Sequence, residues 1–143
     1  MQISDVLKAK ASTKVITVHE EATVRDLLAL LSEHNVGALV VSNDGTSVDG
    51  IVSERDVVRH LHNDETLLEA PVRQIMTTTV ASCSASDDVT ELMRMMTDRR
   101  IRHVPVLTDG VLTGVVSIGD VVKHRIGQLE LERDQLESYV HQT

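Results

Sequence analysis

Apolar residues recur along this chain with two different spacings, and the spacing predicts which segments are helices and which are strands. Two blocks place apolar residues three or four positions apart, as on one face of a helix. Their apolar positions are Val24, Leu27, Leu28 and Leu31 in the first block, and Val89, Leu92, Met93 and Met96 in the second. Thr23 and Asp88 stand directly before these blocks and are suitable N-caps. The sequence therefore predicts two equivalent helices.

Short continuous apolar runs predict strands between the helices. The predicted strands are residues 15–18, 38–41, 51–52, 80–81, 104–107 and 115–116. Asn43-Asp44-Gly45 and Asp109-Gly110 are turn signals that separate the last two strands of each set. The order short strand, helix, strand, turn, strand, helix is thus predicted twice.

An eleven-residue phrase confirms that the chain contains an internal repeat. GIVSERDVVRH at residues 50–60 returns as GVVSIGDVVKH at residues 114–124. We therefore predict a first repeat with its linker over residues 1–70, a second over 71–124 and an extension over 125–143. One such unit has too little apolar area to be stable alone, so the two copies are expected to pack face to face.

Composition narrows the class of protein. The 143 residues are 41% hydrophobic but include no Phe or Trp, which requires an aliphatic core. The formal net charge of −8 disfavours binding to nucleic acid or to anionic membranes. No run approaches the roughly 20 apolar residues of a membrane-spanning helix. With a single cysteine, Cys83, no internal disulfide can form, and a cytoplasmic location is expected.

Residues 125–143 belong to neither copy and are predicted to prolong the last helix. Ile126, Leu129, Leu136 and Val140 nearly follow a heptad spacing, which Arg133 interrupts. Two interpretations stay open. The extension either packs on its own domain or forms a dimer contact.

A Ser-x-x-Asp pair closes the repeated phrase in each copy, as Ser53 with Asp56 and as Ser117 with Asp120. Ser followed three residues later by an acid resembles a capping box, which is a purely structural device. Each pair also follows an apolar strand at its carboxyl end, where α/β layers usually bind ligands. A helix N-terminus attracts phosphate, and a neighbouring carboxylate can accept hydrogen bonds from both hydroxyls of a ribose. An adenosine phosphate contains both of these groups.

The tandem β-α-β-β-α units, the Gly-apolar-Val-Ser-x-x-Asp endings and the motif Arg102-His103-Val104-Pro105-Val106 carry a family resemblance. Residues 3–124 resemble the CBS-domain pair, or Bateman module, as found in stand-alone bacterial-type regulatory proteins. The resemblance implies an α/β (α+β) fold of two pseudo-symmetric repeats. It also implies two clefts for adenosine compounds such as AMP, ADP, ATP, NAD(H) or S-adenosylmethionine.

The resemblance assigns roles to particular residues. The ribose-binding residues would be Ser53, Asp56, Ser117 and Asp120. The base-binding and cleft-lining residues would be Ile16, Val36, Gly37, Ala38, Val52, Ala81, Ile101 and Val116. The candidate phosphate-binding residues are Lys14, Arg55, Arg102 and His103. Lys14 is better explained as a solvated loop lysine.

The main hypothesis is therefore a regulatory module that senses adenine nucleotides, forms a homodimer and acts on a downstream protein through a change in shape. The alternative is a structural or protein-interaction dimer whose Ser-x-x-Asp pairs are only caps. No catalytic function is expected, because the sequence offers no nucleophile–base pair, no metal cluster and no phosphate-cradling glycine loop.

Overall fold

The structure, a computed structural model, describes residues 1–10 and 15–141. It contains two three-stranded sheets with the same topology. The strands of the first sheet are β1 (Thr17–Val18), β2 (Ala38–Val41) and β3 (Gly50–Ser53), and those of the second are β4 (Cys83–Ser84), β5 (His103–Thr108) and β6 (Val111–Ser117). In each sheet the first pair of strands is parallel and the second pair is antiparallel. The predicted duplication of one unit is confirmed.

The described residues form five α-helices around the sheets. They are α1 (Ile3–Lys8), α2 (Val24–His34), α3 (Glu54–Leu61), α4 (Val89–Arg99) and α5 (Ile118–His141). The predicted N-caps are confirmed, because the Thr23 side chain accepts a hydrogen bond from the Asp26 amide and Asp88 accepts one from Thr90. The tail prolongs the last helix as expected. None of the described helices is both long and apolar enough to cross a membrane.

Two local predictions need correction. The short strand of the second copy is Cys83–Ser84 and not residues 80–81, because Cys83 is the residue that pairs with Val106 and is buried against the second core. In the first copy only Thr17–Val18 of the predicted run forms a strand. The helix α1 was not predicted, since its six residues are too few for a helical period to stand out.

Each sheet has its own aliphatic core, and each core is completed by the segment that precedes the other copy. The first core includes Leu67, Val72 and Ile75, which lie between the copies in sequence. The second core includes Ile3 and Val6 from α1, at the start of the chain. We call this arrangement the reciprocal exchange. The boundaries at residues 70 and 124 stay predictions. The first core is formed within residues 16–76, whereas the second joins α1 to residues 83–121.

Each of the two segments that complete the opposite core is also held there by a backbone hydrogen bond. The Ile3 amide donates to the Asp87 carbonyl at 2.9 Å, and the Val72 amide donates to the Ala22 carbonyl at 2.8 Å. The halves also touch where the Leu112 amide donates to the Thr46 carbonyl at 2.8 Å. The two copies therefore pack face to face, as predicted, and are held together by the chain segments that cross between them.

Candidate ligand-binding clefts

Two clefts lie between the copies, and each takes its Ser-x-x-Asp pair from one copy and its apolar wall from the other. The Ser117 cleft, which contains Ser117 and Asp120, has a volume of about 490 Å³. The Ser53 cleft, which contains Ser53 and Asp56, has a volume of about 550 Å³. Both volumes lie within the range typical of small-molecule sites.

The Ser117 cleft is mostly apolar. Its first-copy residues include Val15, Ile16 and the loop and strand from Asn35 to Val40. Gly114 and Val115 of β6 and the α1 segment with Leu7, Lys8 and Lys10 complete it. The predicted lining residues Ile16, Val36, Gly37 and Ala38 are all present in this wall.

The Ser53 cleft has the corresponding plan with a different charge. Its wall from the second copy includes Val80, Ala81 and Ile101, which are the counterparts of the apolar residues in the Ser117 cleft. Five arginines also line it, namely Arg55, Arg59, Arg99, Arg100 and Arg102. Gly37, Ala38 and His103 line both clefts and form a shared wall between them.

Both aspartates serve as caps without using up their carboxylates. Oδ2 of Asp56 accepts from the Ser53 amide at 2.8 Å, and the Asp56 amide donates back to Ser53 Oγ at 3.3 Å. The Ser117–Asp120 pair makes the same two bonds at 3.0 and 3.1 Å. In the described part of the chain, Oδ1 of either aspartate accepts no hydrogen bond. Capping and ligand binding are therefore compatible in one side chain.

Asp120 has a cationic partner that Asp56 lacks among the described residues. Lys10 Nζ lies 2.9 Å from Asp120 Oδ2 and donates to the Val115 carbonyl at 2.8 Å. Burial by itself would raise the pKa of Asp120, but hydrogen bonds from the Ser117 backbone and from Lys10 outweigh it and lower the pKa. Asp120 is therefore ionised at neutral pH. Sequence reasoning missed Lys10, because nothing in its spacing connects it to a residue 110 positions later.

His103 stands in the shared wall as a neutral side chain. Burial lowers its pKa, with Lys10 and Arg102 acting in the same direction and the carboxylates of Asp120 and Glu54 opposing them. Since the ordinary histidine value is already near 6.5, the imidazole is uncharged at pH 7. His103 can therefore donate or accept a hydrogen bond in either cleft, but it adds no positive charge there.

The prediction that Val52 and Val116 line the clefts is wrong. Both side chains have 0% relative exposure and belong to the two cores. Their neighbours Ile51 and Val115 line the clefts instead. Side chains alternate across a strand, so residues adjacent to Val52 and Val116, and not the valines themselves, share a face with Ser53 and Ser117.

The remaining predicted residues are distributed as follows. Arg55, Arg102 and His103 line the Ser53 cleft as expected for phosphate-binding residues, although that role stays a prediction. Lys14 lies outside the described residues.

Cys83 is buried, which raises the pKa of its thiol to about 12, with Asp87 adding to the effect. The thiol is therefore protonated and unreactive at neutral pH.

Comparison with known proteins gives consistent relatives. The family model of the CBS domain matches residues 3–63 and again residues 72–127. The mitochondrial CBS domain-containing protein CBSX3 of Arabidopsis thaliana is 36% identical over 96% of this chain and 71% of its own length. The crystal structure of the CBS-domain protein ATU1752 from Agrobacterium tumefaciens is 38% identical, with a TM-score of 0.82 over 87% of this chain and 99% of that one.

A further structural neighbour carries ligands. The CBS-domain pair of MJ0100, solved in complex with 5′-methylthioadenosine and S-adenosyl-L-methionine, superposes with a TM-score of 0.78. It covers 90% of this chain and 98% of its own, at 23% identity, so the likeness is one of fold. The duplicated topology, the two clefts between the copies and the two family matches agree. The chain belongs to the CBS-domain family, as a pair of CBS domains.

Proposed function

We propose that this CBS-domain pair is a regulatory, non-catalytic module that binds adenine nucleotides in its two clefts. One observation carries the proposal: each cleft is lined by an aspartate that a capping box holds through Oδ2, while no described residue donates a hydrogen bond to its Oδ1. A carboxylate held in this way can accept hydrogen bonds from both hydroxyls of a ribose without reorganising. Preorganised groups of this kind lose little conformational entropy on binding.

The surroundings of each aspartate suit the rest of an adenosine nucleotide. Ile16 and Val36 in the Ser117 cleft, and Ala81 and Ile101 in the Ser53 cleft, offer an apolar surface for a flat base. The N-termini of α3 and α5 directly follow Ser53 and Ser117 and favour negative charge. The MJ0100 pair, which has the same fold, holds two adenosine compounds.

Because each cleft is built from both copies, a ligand contacts both and stabilises the arrangement of the halves that fits it best. This is a shift between existing arrangements, and its size is set by the difference in affinity for the two. We propose that a downstream protein, in the cytoplasm expected from the sequence, recognises one of these arrangements.

The ribose role can be tested with Asp56→Asn and Asp120→Asn, combined in one protein. Hydrogen bonds to a charged acceptor contribute about 1.5–3 kcal/mol each. We therefore expect the double variant to lose at least roughly tenfold in affinity for AMP, ADP and ATP, measured by isothermal titration calorimetry. For the wild type, 2′,3′-dideoxy nucleotides are expected to show a similar loss.

The chain offers a matched control for the capping role. Thr23 and Asp26 form a capping box with the same two hydrogen bonds, and neither residue lines a cleft. Asp26→Asn should therefore cost stability without changing nucleotide affinity. If the double variant bound nucleotides as tightly as the Asp26→Asn protein, the assignment of Asp56 and Asp120 to ribose would be wrong.

A second candidate role, a protein-interaction dimer, is favoured by α5. Beyond Val121 this helix has no described buried residue, and one of its faces is apolar. The exposed stripe comprises Val122, Ile126, Leu129 and Leu136, with 44–66% of each side chain accessible, and Val140 continues it. Together with Arg133 these positions are spaced alternately by four and three residues, which is the spacing of a coiled-coil seam.

Charge indicates the partner of the stripe as a second copy of α5 in antiparallel orientation. Lys123 and Arg125 lie in the first half of the helix, whereas the carboxylates of Glu130, Glu132, Asp134 and Glu137 lie in the second half. An antiparallel pair places the basic half beside the acidic half. A parallel pair would place Arg133 against Arg133 of the second copy, and like charges so close repel each other.

Ile126→Glu tests the dimer, because it adds a carboxylate beside the acidic half of the second helix. We expect the wild type to sediment as a dimer and the variant as a monomer in analytical ultracentrifugation. Leu131→Glu is the matched control, since Leu131 is 59% exposed but lies off the stripe. An unchanged association state in Ile126→Glu, or a monomeric wild type, would contradict this role.

A further inference from the structure

The two clefts share a plan, but their charges differ sharply. The five arginines of the Ser53 cleft face two carboxylates, those of Glu54 and Asp56. Three positive charges are therefore uncompensated there, in a chain whose net charge is −8. The negative composition of the whole chain hides this concentration of positive charge, which exists only because the fold joins the start of α3 to the end of α4.

None of the five arginines forms an ion pair with another described residue. Other arginines of the chain do so, such as Arg25 with Glu69 at 2.8 Å and Arg73 with Glu21 at 3.0 Å. Unpaired guanidinium groups that converge on one cleft repel each other, and an anion in that cleft would relieve the repulsion. Arginine also matches the oxygens of a phosphate with two parallel hydrogen bonds.

The backbone conformation of Arg100 is unfavourable for an arginine, and a role for its charge would explain why an arginine occupies this position. It ends α4 with a φ of 54°, in the left-handed region that usually belongs to glycine or asparagine. The equivalent residue of the first copy, Asn35, ends α2 with a φ of 53° and is the residue type expected there. The protein thus keeps an arginine in a left-handed position at the cleft, where an asparagine would be less strained.

The described residues of the Ser117 cleft lack this positive charge. The positions equivalent to Arg100, Arg102 and Arg55 hold Asn35, Gly37 and Gly119. The described lysines that line this cleft are Lys8 and Lys10, and the Lys10 ammonium is already bound to Asp120 and to the Val115 carbonyl. At these three positions the Ser53 cleft therefore has an arginine where the equivalent residue is neutral, and Lys123, the counterpart of Arg59, does not line the Ser117 cleft.

We infer that the two clefts prefer adenosine ligands with different numbers of phosphates, an inference that rests on the proposed nucleotide binding. The Ser53 cleft takes the nucleoside triphosphate in preference to the monophosphate, because each added phosphate meets a further guanidinium. The Ser117 cleft takes an adenosine ligand with little or no net negative charge, since its described residues offer one uncommitted lysine beside an apolar wall. The division follows from side chains outside the Ser-x-x-Asp pairs.

The test uses full-length protein with Asp120→Asn, which weakens binding in the Ser117 cleft, so that the tighter binding comes from the Ser53 cleft. Calorimetric titration with AMP, ADP and ATP should give affinities that rise with phosphate number, with ATP at least roughly tenfold tighter than AMP. Adding Arg100→Asn, which copies the residue of the first repeat and suits the left-handed backbone, should weaken ATP roughly tenfold and AMP less than about threefold. Arg102→Gly, which also copies the first repeat, should act in the same direction.

Arg94→Gln is the matched control, because Arg94 lies on the same helix but lines neither cleft. It should leave the ATP-to-AMP ratio unchanged. Equal affinity for AMP and ATP, or an Arg100→Asn protein with the wild-type ratio, would overturn the inference and leave nucleotide binding intact. Absence of binding by every adenosine ligand, in the wild type as well, would instead refute the proposed function itself.

Discussion

Replacing Ile3 with alanine is expected to lower the free energy of unfolding by about 3 kcal/mol, although Ile3 lies at the very start of the chain. Its side chain has 0% relative exposure and packs in the core of the second copy. Removing three carbons from such a site costs their transfer free energy and leaves a cavity. In a chain of this length the loss corresponds to a fall of roughly 10 °C in Tm.

Urea unfolding followed by circular dichroism would measure the loss. Val58→Ala is the control, since Val58 is a large aliphatic residue with 68% relative exposure on α3. That variant should change the free energy of unfolding by less than about 0.5 kcal/mol. If Ile3→Ala changed the free energy of unfolding as little as Val58→Ala does, α1 would not stabilise the second core. The reciprocal exchange would then contribute nothing to stability.

Gly50→Ala is expected to destabilise the protein by about 1–3 kcal/mol, because a methyl group has no room there. A Cβ on Gly50 would lie 2.9 Å from the Thr77 carbonyl oxygen and 2.9 Å from Met76 Sδ. Thr77 is held in place by two backbone hydrogen bonds to Ile51, of 2.9 and 2.8 Å. The backbone must therefore shift, and the segment that completes the first core shifts with it.

Alanine substitutions at two other glycines serve as comparisons. Gly114 is the counterpart of Gly50, but the three atoms nearest to a Cβ there all belong to the Leu7 side chain, the first at 3.0 Å, and this side chain can rotate away. Gly127 lies inside α5 with nothing near its Cβ position, so alanine there should stabilise the protein by about 0.5–1 kcal/mol. Thermal unfolding should rank the alanine variants Gly127, Gly114, Gly50 from most to least stable, and any other order would contradict this account.

Much of the fold could be predicted because duplication tests each assignment twice. The α2 and α4 blocks share a spacing, so each supports the other, and the repeated phrase fixed the strand-to-helix junctions at Ser53 and Ser117. The short parallel strands were harder. Two residues carry no periodicity, and Cys83–Ser84 forms a strand because it pairs with β5, which is a tertiary effect.

The candidate site was most predictable where its residues repeat. Ser53, Asp56, Ser117 and Asp120 could be found because they recur in both copies. Lys10 and the arginines at positions 59, 99 and 100 could not, since only the fold brings them to the clefts. The error at Val52 and Val116 was avoidable, because strand alternation alone assigns both valines to the core face.

The shared wall has a consequence for how the module would report on its surroundings. Gly37, Ala38 and His103 border both clefts, so a ligand that moves this wall from one side changes the space and the hydrogen bonding offered on the other. Any such coupling is reciprocal by thermodynamic necessity. If both clefts bind ligands as proposed, the module would not report one concentration. Its state would follow the ratio of two metabolites, as a comparator responds to the ratio of its inputs.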